Sequence, residues 1–216
     1  MTDMAKSQPT GDRERVRNPQ GAGARLREEL IAAASQLLAG GSDPAQLSLR
    51  AVARAAGIAA PSVYLQFANK DALLRAVVDT HFAAFQQALE AGTASGTDPA
   101  ARLLAGCLAY CQYASEQPGS YRVIFEMPSL LMRELPSDAP PGADAFQVLV
   151  DGVAACIASG VARADDPRQV AATIWPALHG IVTLRRQLPA FPWPPLADQV
   201  RRVVSGLAGI SPVVFG

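Results

Sequence analysis

The chain has 216 residues, half of them apolar, enough for one compact domain or a small domain joined to a larger one. Three cysteines in a chain of this length argue against a disulfide scaffold, and no apolar run is long enough to span a bilayer without charges or prolines. Nineteen basic residues balance nineteen acidic ones, which leaves nucleic-acid binding open because the distribution of charge matters more than its sum. Residues 1–70 hold nine Lys/Arg and six Asp/Glu, a net +3, and residues 71–216 hold ten and thirteen, a net −3. The asymmetry has the sign expected of an N-terminal DNA-binding part. The first residues are polar and charged, with nothing like a secretory leader, so the expected location is the cytoplasm.

Residues 1–20 carry Pro9, Gly11, Pro19 and alternating charges, the composition of a disordered tail. Leu26, Leu30, Ile31, Ala34, Leu37 and Leu38 then recur at helical spacing until Gly40-Gly41. Ser48 caps a short helix through Ala55, and Gly57 breaks it. Ala59 to Phe67 reads as a second short helix, with Pro61 tolerated in its first turn. Asn69 caps a long amphipathic helix over about 70–91, and residues 92–99 read as a loop. Further helices are expected at about 100–117, 119–126, 142–160, 167–187 and 196–207. A proline-marked connector with a turn near Leu130–Leu135 falls between Pro128 and Pro141. No segment alternates as a strand does, so the fold class is all-α. Three N-terminal helices with a helix-turn-helix (21–69) are followed by a larger helical domain (70–210), to which the family resemblance given below assigns ligand binding and dimerisation.

The two short helices are separated by a glycine-containing turn of the helix-turn-helix length. Val52 and Ala53 are small enough for the pair to cross closely, Gly57 supplies a left-handed residue, and Ile58, Val63 and Phe67 fill the core beneath. The later short helix is then free to enter a major groove. Residues 47–74, with Ser48, Ala53, Ala56-Gly57-Ile58, Val63-Tyr64, Phe67, Asn69-Lys70-Asp71 and Leu73-Leu74, resemble the signature of the TetR (tetracycline-repressor) family of transcription regulators. The resemblance implies that Arg50 meets a guanine edge or a phosphate. Ala60, Pro61, Ser62, Leu65 and Gln66 lie on or near the exposed recognition face, with Gln66 the best adenine reader. Ser62 serves a base or a phosphate, and the Tyr64 hydroxyl reaches the DNA backbone. Lys70 meets a phosphate at the start of the long helix, and Ser48 joins capping to a phosphate contact. Few of these residues are cationic, so shape and backbone contacts carry much of the recognition.

A second resemblance, to the Trp-His-Gly subclass of TetR C-terminal domains, rests on residues 175–180 and on residues 113–125. Pro176 departs from the subclass pattern and is expected to kink its helix or mark an irregular turn. Trp175 and His179, four apart, share a helix face. Either that face lines an effector pocket opposite Phe82, Phe85, Tyr110, Tyr113 and Phe125, or it holds a core tryptophan and a histidine bonded to a backbone carbonyl, the commoner arrangement. The family implies a homodimer through helices 142–160 and 167–187, close-packed on Gly152, Ala155, Ala158, Gly160, Ala171 and Ala172, with Gly180 allowing close helix approach. The partners so implied are a palindromic double-stranded operator and a small apolar effector that releases the repressor by moving the long helix.

An enzyme is not expected. The two histidines, His81 and His179, belong to no metal-binding or nucleophile motif, no phosphate loop is present, and Gly21-Ala-Gly23 follows no strand. No cofactor or metal is expected, and Cys107 and Cys111 read as buried small apolar residues. The alternative function is a helical protein-interaction or ligand-binding protein without specific DNA readout.

Overall fold

A computed structural model of the chain describes residues 22–126 and 142–215. The expected tail at 1–20 and the turn expected near Leu130–Leu135 lie outside the described residues. The described residues form nine α-helices, two short 3-10 turns and no strand, which bears out the all-α reading. The N-terminal helices are α1 (Ala22–Ala39), α2 (Leu49–Ala55), α3 (Ala60–Gln66) and the long α4 (Lys70–Ala94). They are followed by α5 (Pro99–Glu116), α6 (Pro118–Phe125), α7 (Ala143–Ala158), α8 (Pro167–Gln187) and α9 (Leu196–Ala208). No helix among the described residues is long and apolar enough to cross a membrane.

Short polar side chains start these helices. Ser48 Oγ accepts the Ala51 N–H at 3.1 Å, Asn69 Oδ1 accepts that of Ala72 at 2.8 Å, and Asp98 Oδ1 accepts that of Ala101 at 2.9 Å. Each bond satisfies a first-turn amide that has no partner within its own helix. Gly57 adopts φ +68°, and the Ile58 N–H turns back to the Ala53 carbonyl at 2.9 Å, closing α2.

The loop expected from Gly92 begins later. Helix α4 continues to Ala94 because Gly92 faces α5: a Cβ there would lie 2.4 Å from the Ala109 Cβ. The missing side chain sets how closely the two helices approach, and composition alone misread it as a helix end. Pro176 does not interrupt α8. Its ring leaves the Ala172 carbonyl without the usual intrahelical donor.

Two apolar cores lie side by side. In the first, Leu30, Ala34 and Leu38 of α1 pack on Val52, Val63, Phe67, Leu73 and Val77. Ile58, expected inside it, is only half-buried at its edge. The second joins α4, α5, α7, α8 and α9 through residues such as Phe85, Leu103, Val153, Ile174 and Val204. Helix α6 belongs to both, with Val123 in the first core and Tyr121 and Ile124 in the second. The cysteines are buried and free. Burial pushes the Cys111 thiol up to about 12 and that of Cys156 to about 11, so both remain protonated packing groups.

Candidate nucleic-acid interface and ligand cavity

Helix α3 is anchored from below and bare above. Val63 and Phe67 are buried, which turns the opposite side of this seven-residue helix outward. Tyr64 is 52% exposed and Leu65 82% exposed, with Pro61 also exposed and Ala60 and Ser62 half-buried. Ser48 and Arg50 are exposed at the start of α2, so the expected contact residues from both helices remain accessible. A leucine this bare has little packing role within the chain, and a major groove is wide enough to admit one helix.

One expected reader is already engaged within the chain, and another is partly covered. Lys70 is half-buried, and its Nζ donates to the carbonyls of Pro44 (3.4 Å) and Ala45 (3.3 Å), tying the 3-10 turn to α4. Gln66 is half-buried beside the start of α1, where a Cβ on Gly23 would stand 3.8 Å from its Nε2. Arg27 of α1 donates to the Gln66 carbonyl at 3.1 Å and lies 4.3 Å over the Phe67 ring. It therefore fixes the end of α3. Sequence reasoning missed Arg27 because the contact joins residues 39 apart and has no local signature.

The second site is a cavity of about 520 Å3 lined by α4, α5, α6, α7 and α8, a size typical of small-molecule sites. Phe82, Phe85, Tyr110, Phe125, Trp175 and His179 all line it. Tyr113 does not: it stands behind Phe85, ring centroids 5.2 Å apart, and its expected pocket position is corrected to the supporting wall. Phe125 sits at the centre of the aromatic wall, edge-on to Phe82 and Phe85 and 6.2 Å from Trp175. Phe146, which the sequence did not single out, extends the wall 6.0 Å beyond Trp175. Arg102 borders the cavity but is exposed, and its Nε donates to the Gly96 carbonyl.

Among the described residues, the partners of His179 are two tyrosine hydroxyls and not the backbone carbonyl of the commoner arrangement. Its Nδ1 meets the Tyr121 hydroxyl at 2.6 Å and the Tyr110 hydroxyl at 3.3 Å, and the two hydroxyls are 2.8 Å apart. The imidazole stacks on the Tyr121 ring at 5.6 Å. Burial lowers the His179 pKa, opposed by the Glu126 carboxylate and assisted by Arg186, so the ring is neutral near pH 7. Burial raises both tyrosines well above the usual phenol range. Tyr121 was legible only as a neighbour: it lies four residues before Phe125, on the same face of α6.

Gly152 and Ala171, expected in a dimer seam, face inward. Gly152 lines the cavity, and Ala171 is fully buried. A Cβ on Gly180 would meet nothing within 4 Å, so close approach within the chain does not explain that glycine. The half-buried Gly180 borders the cavity, and the exposed Leu184 and Leu188 follow it in one line along α8.

A family model described as "Bacterial regulatory proteins, tetR family" matches residues 30–77, and one described as "Tetracyclin repressor-like, C-terminal domain" matches residues 103–207. No curated protein sequence matches the chain significantly. A solved protein of unknown function from Rhodococcus sp. RHA1 is similar over 86% of this chain and 95% of its own, at 24% identity and TM-score 0.71. The regulator FadR from Bacillus subtilis, solved with stearoyl-CoA, covers 84% of this chain and 97% of its own, at 17% identity and TM-score 0.65. SmeT, the repressor of the Stenotrophomonas maltophilia multidrug efflux pump SmeDEF, covers 85% of this chain and 88% of its own, at 20% identity and TM-score 0.62. These likenesses establish a shared fold, and the two family matches, one over the helix-turn-helix and one over the cavity-bearing helices, fix the relationship: the chain belongs to the TetR family of DNA-binding transcription regulators.

Proposed function

We propose that the protein is a one-component repressor whose two copies bind a palindromic operator and release it when a small apolar molecule enters the cavity. The observation that carries this reading is α4, one continuous helix that begins at the helix-turn-helix with Lys70 and lines the cavity with Phe82, Phe85 and Leu89. A ligand that fits one position of α4 better than another shifts the separation of the recognition helices. On this reading Arg50, Ser62, Tyr64 and Ser48 meet phosphates or base edges, with Ala60, Pro61 and Leu65 in apolar contact. Gln66 reads an adenine by turning away from Gly23. Lys70 exchanges the Pro44 and Ala45 carbonyls for a phosphate.

The domain division at about residue 70, the Trp-His-Gly subclass and a dimer through α7 and α8 belong to the same proposal. The line of Gly180, Leu184 and Leu188 on α8 supports the dimer, since exposed leucines four residues apart form an apolar stripe. One seven-residue recognition helix binds weakly alone, and two must span half-sites roughly 34–36 Å apart. The test is fluorescence anisotropy with the DNA upstream of the protein's own gene. Salt-sensitive binding by a dimer supports the reading, and no binding at low salt rejects it.

A further inference from the structure

We infer that the Tyr110–Tyr121–His179 chain is the polar recognition element of the cavity, and that it selects an apolar molecule carrying one uncharged carbonyl or hydroxyl group. The inference rests on the reading of the cavity as a ligand site. His179 and Tyr110 line the cavity, whereas Tyr121 lies fully buried behind them. The 2.6 Å contact between Tyr121 Oη and His179 Nδ1 needs one proton between the atoms, and the 2.8 Å contact between the hydroxyls needs another. When Tyr110 donates to Tyr121 and Tyr121 to Nδ1, the imidazole carries its own proton on Nε2 and offers a donor to a carbonyl oxygen. When the chain runs the other way, Nε2 is an acceptor for a hydroxyl. Reversal moves protons only. Nε2 has no side-chain partner among the described residues, so a ligand group can complete the network.

The same geometry disfavours an anion at this end. All three groups are neutral, and the neighbouring wall is Phe82, Phe125 and Trp175. Arg186, whose charge reaches His179, is already paired with Glu126, so a carboxylate buried there gains no free cation to offset its desolvation. Among the described residues the cation bordering the cavity is Arg102, which lies eight residues from Tyr110 along α5, about 12 Å at the helical rise. It is at the exposed rim. A charged head, if a ligand has one, belongs there and not at His179. Tyr121 acts through His179 and is a positioning residue.

The experiment measures displacement of the neutral apolar dye Nile red from the full-length protein by 2-decanone, decane and decanoate. The ketone should displace the dye at a concentration about tenfold below that of decane, the worth of one buried neutral hydrogen bond, with any gain of decanoate over decane unchanged by His179→Leu. In Tyr121→Phe, which keeps the ring packing, and in His179→Leu, the ketone advantage should fall to within about twofold while decane is unaffected. That ratio is independent of modest changes in stability. Equal displacement by all three compounds in the parent protein, or a ketone advantage that survives His179→Leu, overturns the inference and leaves the ligand cavity standing. Failure of the dye to bind, or of any compound to displace it, removes the cavity reading and this inference with it.

Discussion

The two halves of this molecule use buried aromatic residues in opposite ways. Around the helix-turn-helix, Phe67 is locked between Val63, the α1 face and the Arg27 guanidinium, and the interior is closed. In the C-terminal half, Phe82 and Phe125 meet at ring edges, Phe146 tilts against Trp175, and the three phenylalanines border a space of about 520 Å3 and are only half-buried. A packed core fixes one geometry. A wall with missing neighbours forgoes dispersion contacts and is free to accept another molecule's atoms. Helix α6 is shared by both, so the tight half and the open half meet within eight residues.

Truncation is the strongest way to break this contrast. Phe67→Ala should cost about 3–5 kcal/mol, as large-to-small changes in a closed core do. Phe82→Ala should cost about half of that or less, because its ring already borders space. Urea denaturation of both variants checks this, and equal losses would mean that the cavity wall is as rigid as the core. A smaller effect sharpens the outer face of the tight half. Gln66→Ala should relax the preference at one operator position by about 1–3 kcal/mol, while Lys70→Ala should weaken binding to all sequences and lower the salt slope by about one. Anisotropy against a panel of single-base operator variants separates the two. Similar losses on specific and random DNA from both changes would show that α3 reads no base through Gln66. Ser48→Ala, which removes the cap bonded to the Ala51 N–H, should lower thermal stability by about 1 kcal/mol.

The tight half was the legible one. Its caps at Ser48 and Asn69, its left-handed Gly57 and its helix bounds are local devices, written within three or four residues of where they act. The cavity was only partly legible. The i,i+4 spacing of Trp175 and His179 put both on one face, yet which tyrosines faced them depends on how α5 and α6 rotate about their axes. Tyr113 and Tyr110 differ by three residues, and only the position of Phe85 decides that Tyr110 is lining and Tyr113 is backing. Gly92 shows the same limit: its chemistry suggests a break, whereas its contact with Ala109 needs the partner helix in place.

The two histidines place one titratable probe in each half, and they give the smallest expected effect. His81 of α4 meets the Ser35 hydroxyl of α1 at 3.1 Å, beside the first core, while His179 borders the cavity. Burial lowers both pKa values below the ordinary 6.5, so each ring is neutral in the folded chain over a range where the unfolded chain is already protonated. The unfolded state then binds more protons, and stability rises with pH. Stability is therefore fully present above pH 6.5 and is lost as pH falls below it, the loss levelling off once the folded-state values are passed. Melting temperature measured from pH 7.5 to 5 should decline, and His81→Gln and His179→Gln should each flatten the decline. Glu126, which favours the charged imidazole at His179, makes its share the more easily offset. If His81→Gln removes most of the slope, acid acts first on the closed half through the α1–α4 contact. If His179→Gln does so, the cavity is the acid-sensitive half. A slope unchanged by either substitution would mean that neither ring is held neutral by burial.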